Sequence, residues 1–513
     1  MLRLFTAEEM RSIDEKAIEQ GMKHADLMNN AADRVFEKVT ELEPELKDKK
    51  ILVVCGPGNN GGDAMLVAGK LDDAGYDVRM VVLSKKTLLK GEPKKISTKV
   101  SKSIKDNSFI SEYSETIMHG VDIIIDGIFG TGFNSNPEGV FYDMIEAMNN
   151  SGKRIYSIDI PSGIHGSTGF MEDIAVIATT TISLQFPKLG LFINDGYVHS
   201  GEVINVDIGI PEGLDSEIEE KRYITDLSDL KGKLKKRDLM VDKKDFGKVF
   251  NFAGSLATPG AAILSSMAAL RCGTGLLKLG VPMNISAAIA SVNPEIMTVP
   301  LPYNQPGYTS MNAEKDILKA YSWCDAVLAG PGLSVSMETK KVTKRLISRN
   351  IDRPMVLDAD ALNVLSEGPD FIDRLGDQVV ITPHNSEMAR LAGTSKEFLL
   401  LDRINTCIQK AKDLDCYVVL KGTPTIVSSP KGEIFIHVNK NPGMAVGGSG
   451  DLLAGILVSF LGQKIAVPDA ILLALYVHKI AGDLATEKYG ENSVLPTDML
   501  KEIPHAIKQI INL

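Results

Sequence analysis

Apolar residues along the chain follow two alternating patterns. Residues 51–55, Ile-Leu-Val-Val-Cys, are apolar at every position, as in a strand buried on both faces. Elsewhere apolar residues recur three or four positions apart, the period of a helix with one buried face. Met10, Ile13, Ala17 and Ile18 show this spacing, and Thr6-Ala-Glu-Glu9 before them matches a capping box. A first helix is therefore expected to begin there. Further helices are expected near 26–42 and 64–74. Strands are expected at 78–83, 121–125, 154–158, 179–184 and 203–206. Strands alternating with helices predict a doubly wound α/β domain on a parallel sheet.

That rhythm breaks at Pro211-Glu-Gly-Leu-Asp215 and again in the charged run 226–236. The boundary is expected near 212–235, dividing the chain into domains 1–215 and 216–513. The basic block from Lys231 to Arg237 reads as a solvated linker. A second α/β series follows, with strands expected at 249–253, 276–280, 326–329, 355–358, 379–381, 417–420 and 433–438. A long helix is expected over 260–272. No fixed-period repeat relates the halves.

Length supports the division, since 513 residues exceed a typical single core. A net charge of −10 disfavours a general nucleic-acid-binding role. The five cysteines are odd in number and form no Cys-x-x-Cys pair, so neither a disulfide framework nor a thiolate zinc site is suggested. The first ten residues turn acidic before an apolar stretch develops, which argues against a signal peptide. No apolar run approaches the ~20 residues that span a bilayer. A cytoplasmic protein without membrane or nucleic-acid partners is expected.

The densest chemical signal is Asn441-Pro-Gly-Met-Ala-Val-Gly-Gly-Ser-Gly-Asp451, followed at once by an apolar helical run. The backbone N–H groups of Gly447, Gly448, Ser449 and Gly450, with a helix N-terminus behind them, suit a developing phosphate anion. Asp451 would stand beside that anion, able to take a proton from an attacking hydroxyl. The segment predicts phosphoryl transfer to an alcohol. A helix-capping Asp after a flexible loop is the plainer alternative.

In the first domain, Gly56-Pro-Gly-Asn-Asn-Gly-Gly-Asp63 contains G-x-G-x-x-G between a strand and a helix. The acidic residue of a dinucleotide fingerprint is missing, because Leu83 is followed by Ser-Lys-Lys. Asp126-Gly-Ile-Phe-Gly-Thr-Gly132 and Asp159-Ile-Pro-Ser-Gly163 follow two more strands. In an open parallel sheet these strand ends converge on a ligand. Their hard oxygen groups suit an alkali or alkaline-earth cation, although each Asp could simply cap a turn.

Together the three motifs resemble the NAD(P)H-hydrate epimerase family over roughly residues 1–215. The resemblance implies that Asn59, Asn60, Gly61, Gly62 and Asp63 line a hydrate site. It implies the same for Gly130, Thr131, Gly132 and Phe133, and for Asn134, Ser135 and Asn136. Asp159 would touch the substrate and act as acid–base group. Asn60, Asp126 and Ser162 would hold potassium. Ala64 stands where this family more usually has Gly.

The second half resembles the ribokinase-like superfamily, and within it the ADP/ATP-dependent NAD(P)H-hydrate dehydratases, over roughly 225–513. Asp-Ala-Asp-Ala-Leu-Asn363 and Thr-Pro-His384 carry the likeness to that branch. It implies that Ala261, Gly332, His384 and Asp451 contact the hydrate. Lys421, Gly422, Thr423, Pro424 and Thr425 would contact the nucleotide, together with the Gly447–Gly450 turn. Glu387 would serve magnesium, through water. ADP or ATP would donate the phosphoryl group, and a homo-oligomer is expected. Asn385-Ser386, Ser334, Val446 and Ser449 depart from the usual residues of the branch. A ribokinase-like small-molecule kinase fused to a non-catalytic binding module is the competing reading.

Overall fold

The computed structural model describes residues 1–350, 353–368 and 374–513. It divides into two compact units, Leu2–Arg222 and Tyr223–Leu513 with Met1. The division falls later than residue 215, because Leu214 is buried in the first core and Ile218 packs against it.

The first unit contains a seven-stranded sheet. Its strands are β1 (Lys50–Cys55), β2 (Asp77–Val82), β3 (Asp106–Phe109), β4 (Ile123–Gly127), β5 (Arg154–Ile158), β6 (Thr180–Leu184) and β7 (Glu202–Val206). They lie in the order β3-β2-β1-β4-β5-β6-β7, and every neighbouring pair is parallel. The unbroken apolar run of β1 follows from burial on both faces. Ile51, Val53 and Cys55 enter one core with Ala31, Val35 and Val39. Leu52 and Val54 enter another with Met144, Ile145 and Met148.

Helix α1 (Ala7–Glu19) starts as expected, with the Thr6 side chain and Glu9 forming the reciprocal cap. Helix α2 (His24–Leu42) also forms. Helix α3 spans Asn59–Asp73, beginning earlier than the expected residue 64. The Gly-rich segment is therefore itself the first turn of a helix. Gly61 permits this: a Cβ there would lie 1.9 Å from the Gly56 carbonyl oxygen. Gly127 is required for a related reason, since its Cβ would meet the Ala64 Cβ at 2.4 Å. The methyl of Ala64 thus fills space beneath β4 rather than entering the site.

In the second unit, nine strands that lie wholly within it share a sheet. They are β8 (Lys248–Phe252), β9 (Leu276–Pro282), β10 (Met297–Leu301), β11 (Ala326–Ala329), β12 (Met355–Leu357), β13 (Val379–Ile381), β14 (Tyr417–Leu420), β15 (Thr425–Ser428) and β16 (Ile434–His437). Their order is β16-β15-β14-β13-β12-β11-β8-β9-β10. The pairs from β14 to β10 are parallel. β14, β15 and β16 pair antiparallel. Strands β3, β10 and β15 were not expected from the sequence.

Helices α4 (Pro259–Arg271), α5 (Asn385–Ala392), α6 (Ser449–Gly462), α7 (Val467–Tyr489) and α8 (Pro496–Ile511) matter most for the site. Twelve of the fourteen residues of α6 are buried, so it is a core helix, apolar on nearly every side. It approaches α4 closely at Gly455, where a Cβ would sit 2.1 Å from the Ser265 carbonyl oxygen. All five cysteines are free and buried. Among the described residues, no helix is long and apolar enough to cross a membrane.

Candidate active sites

In each unit the strand order reverses at one point, between β1 and β4 and between β8 and β11. The loops leaving neighbouring strands there diverge, opening a crevice at their carboxyl ends.

In the first unit that crevice is a cavity of 470 Å³. Its walls include Asn59, Asn60 and Asp63 from the start of α3, and Gly130, Thr131, Gly132 and Phe133 from the loop after β4. Asp159 enters from the end of β5. These expected residues meet at one place. Gly61 and Gly62 do not line the cavity; they are buried where α3 packs on the strand loop and on Met28. Asn134, Ser135 and Asn136 are exposed beyond it, and the Asn136 amide donates to Asp173 at 3.0 Å.

Asp126 is fully buried beneath the cavity. Its carboxylate accepts from Ser157 Oγ at 2.8 Å, Ser162 Oγ at 2.6 Å and the backbone N–H groups of Ser162 and Ile128. Burial raises its pKa and these bonds work in the other direction. The Asn60 amide donates to the carbonyls of Phe129 and Ile158. This leaves Asn60 Oδ1 buried without a partner. A buried oxygen with no donor, close to the Asp126 and Ser162 network, is a fitting ligand set for a hard cation.

Asp159 adopts φ 67°, a left-handed conformation that costs a non-Gly residue ~1–2 kcal/mol. The turn aims the side chain back at the cavity. Its Oδ1 accepts from the Leu184 N–H at 3.1 Å and from Lys188 Nζ. Lys188 is only 2% exposed and also donates to the Leu184 carbonyl. A buried ammonium therefore fixes the orientation of this carboxylate. Asp14 from α1 and Lys188 also line the cavity, and neither belongs to a sequence motif. The signal for Asp14 was present, four residues after Met10 and so beside the apolar stripe of α1. Lys188 sits in a loop and carried no pattern.

In the second unit the expected residues come mainly from the loops after β11, β13 and β14 and from the first turns of α4, α5 and α6. Lys421, just beyond β14, donates to Asp358 Oδ1 at 2.7 Å. Asp358, just beyond β12, also accepts from Thr382 Oγ1 at 2.8 Å. A Cβ on Gly450 would lie 3.2 Å from Lys421 Nζ, so the ammonium stands against the anion turn. Burial opposes the Lys421 charge, but Asp358, Glu387 and Asp451 outweigh it and raise the pKa. Gly448 supports the turn at φ 99° as the residue before α6.

Asp451 occupies the first turn of α6. Burial, with the charge of Asp358 adding and that of Lys421 opposing, raises its pKa to about 7. A carboxylate so poised can accept a proton near neutral pH. Behind it, His478 Nε2 lies 3.0 Å from the carbonyl oxygen and the Oγ of Ser449. Burial lowers that imidazole to about 4. Neutral, it donates to the carbonyl and anchors the turn. The Ser449 hydroxyl thus has a buried partner in His478.

His384 Nδ1 accepts from the N–H groups of Ser386 and Glu387, while Glu387 accepts from the His384 N–H at 2.8 Å. The pair caps α5, leaving the imidazole exposed. Burial raises the Glu387 carboxyl. Gly332 packs on α4: its Cβ would be 3.0 Å from the Ala261 Cβ. Ser334 adopts φ 61° and bonds Ser255 Oγ at 2.9 Å. Gly422 leaves room for Arg403, whose guanidinium would lie 2.6 Å from a Cβ there and donates to the Pro424 carbonyl. Thr425, expected in the nucleotide loop, is the first residue of β15, and its Oγ1 donates to the Gly422 carbonyl at 3.1 Å.

Residues 250–505 match the family model for NAD(P)H-hydrate dehydratase. Residues 24–190 match that for the YjeF-related protein N-terminus. The bifunctional NAD(P)H-hydrate repair enzyme of Moorella thermoacetica is 32% identical, with 99% of this chain and 97% of that protein covered. The chain belongs to the bifunctional NAD(P)H-hydrate repair enzyme family. The family member from Coxiella burnetii is 27% identical over the whole of both chains. A ribokinase-like protein of Enterococcus faecalis matches the second unit's fold with a TM-score of 0.50 and 26% identity. That match covers 57% of this chain and 97% of the other. The family thus takes in both units and both strand-end sites.

Proposed function

We propose that this chain repairs hydrated NADH and NADPH in two linked reactions. The first unit interconverts the R and S hydrates. The second removes water from the S hydrate at the expense of ADP or ATP. Asp451 carries the reading: a half-buried carboxyl with a pKa raised to about 7 stands beside a glycine turn and the Lys421 ammonium.

The hydrate bears a hydroxyl on C6, next to the ring nitrogen. Asp451 takes its proton as the oxygen attacks the terminal phosphorus of the nucleotide. The N–H groups of Gly447–Gly450 and the Lys421 ammonium stabilise the transferred charge. Phosphate is then expelled by the ring-nitrogen lone pair, and loss of the C5 proton restores the dihydropyridine. The phosphate is a temporary leaving group, in contrast to the stable product of a small-molecule kinase. Lys421–Thr425 and Gly450 contact the nucleotide, while Ala261, Gly332 and His384 contact the hydrate. Glu387 would hold magnesium through water, offsetting nucleotide charge. In the first unit Asn60, Asp126 and Ser162 would hold potassium, and Asp159 shuttles a proton as C6 is inverted. The orphaned Asn60 Oδ1 supports the cation assignment.

The test is incubation with mixed hydrate epimers and either ADP or ATP, following the return of NADH absorbance. Full recovery is expected with the preferred donor. Recovery that stops when the S epimer is exhausted, at the spontaneous rate of epimerisation, would remove the role of the first unit. A stable phosphorylated product without absorbance recovery would favour the kinase.

A further inference from the structure

The epimerase cavity contains more acid–base machinery than one carboxylate. Asp14 from α1, Asp63 from α3 and Asp159 after β5 line it together with Lys188. Three carboxyls therefore share one buried ammonium. The charge of one is matched by the Lys188 ion pair, and like charges confined together favour retention of protons on the others. Asp63 Oδ1 is buried without a partner.

We propose that Asp14 is a second acid–base group of the cavity, giving a proton to the C6 hydroxyl while Asp159 takes one from incoming water. This rests on the epimerase reading of the first unit. Inversion at a carbon that loses and regains hydroxyl requires one proton donated and one accepted. Asp159 is oriented through Oδ1 by Lys188 and Leu184, which leaves Oδ2 for water. Among the described residues nothing donates a hydrogen bond to Asp14, so its carboxyl is available to the ligand. Asp14 and Asp159 are also electrically coupled. The Lys188 charge favours ionisation of Asp14, the Asp159 charge disfavours it, and burial, the largest influence, raises Asp14 to about 6. The charged or titratable groups around it are Arg11, Glu15, His24, Asp63, Asp159 and Lys188.

The step balances. The Asp14 proton passes to the hydroxyl oxygen, and the C6–O bond breaks with its electron pair leaving as water. The ring-nitrogen lone pair forms a C6=N double bond. Water then adds to C6 from the other face, the double-bond pair returns to nitrogen, and the surplus water proton goes to Asp159. One proton has moved from Asp14 to Asp159 and the hydrate is inverted. Proton exchange with water in the cavity, which both carboxyls line, then returns a proton to Asp14 and removes the one on Asp159, so the pair is ready for the next turnover.

The experiment follows epimer interconversion by the full chain between pH 5 and 8, corrected for the spontaneous rate, in the wild type, Asp14→Asn and Asp14→Glu. In the wild type the rate should fall with an apparent pKa near 6 as Asp14 loses its proton. Asp14→Asn should lose about 10²–10⁴-fold and the limb with it. Asp14→Glu should restore part of the rate and the limb, which a packing role would not do. In water enriched in ¹⁸O, each wild-type inversion should place one solvent oxygen on C6. A wild-type profile flat across this range, inversion without label, or near-normal turnover by Asp14→Asn would each overturn the proposal. Absence of any wild-type acceleration would instead overturn the epimerase reading.

Discussion

Replacing Asp451 with Asn should remove dehydration and stabilise the second unit at alkaline pH. The carboxyl is raised from 3.8 to about 7, chiefly by burial. The folded state therefore holds the proton more tightly than the unfolded chain. Between those values the folded chain binds more protons than the unfolded chain, so this group's contribution falls as pH rises. That difference corresponds to ~4 kcal/mol, fully lost above pH ~7. Asn carries no charge to bury. Asp451→Asn should match the wild type near pH 4 and exceed it progressively, by up to ~4 kcal/mol at pH 8. The single tryptophan, Trp323, lies in the second unit and serves as the reporter. Denaturant unfolding followed by its fluorescence at pH 4.5, 6 and 8 gives the difference directly. Equal stabilities at all three values, or a variant weaker at pH 8, would refute the argument that a desolvated carboxylate strains this turn. Dehydration of the S hydrate should fall by about 10²–10⁴-fold in the same variant.

Wild-type dehydration should rise with pH to a plateau through about 7, as Asp451 loses its proton; a rate independent of pH from 5.5 to 8.5 would contradict its role as base. Gly450→Ala would place a methyl 3.2 Å from Lys421 Nζ, and should slow phosphoryl transfer with little change in Trp323-reported stability. Gly127→Ala drives a Cβ to 2.4 Å from that of Ala64 and should destabilise the first unit by ~1–3 kcal/mol. Adding Ala64→Gly should recover most of it in a thermal or denaturant melt. Lys188→Met leaves Asp159 without its buried partner, and should cost ~3–5 kcal/mol of stability in the first unit.

Much of the fold was legible because two-sided burial writes continuous apolar runs. Strands such as 51–55 and 326–329 were read nearly to the residue. The strands that were missed lacked that mark. Asp106–Phe109 is a half-buried edge strand of Asp-Asn-Ser-Phe. Met297–Leu301 is largely exposed or half-buried. Thr425–Ser428 is created by an antiparallel hairpin that local pattern does not announce. Helix α3 starts before the position that pattern predicts, because glycines normally weaken helices, whereas here close backbone contact with Gly56 demands one. At the sites, loop motifs identified the residues that meet at the strand ends. Gly61 and Gly62 belong to the same motif but serve packing. Asp14 and Lys188 enter the cavity from outside every motif, and only tertiary structure brings them to Asp159.

The five buried cysteines have a consequence for durability. Burial drives Cys55, Cys272 and Cys416 far above the ordinary thiol range, Cys407 up to about 12 and Cys324 up to about 11. Thiolate, the form that peroxides attack, is therefore scarce at neutral pH. The groups assigned to chemistry in both units are carboxyls, amides, amines and backbone. A protein that restores a spoiled reductant would thus keep working when oxidants are abundant, because none of its assigned working groups is one they readily consume.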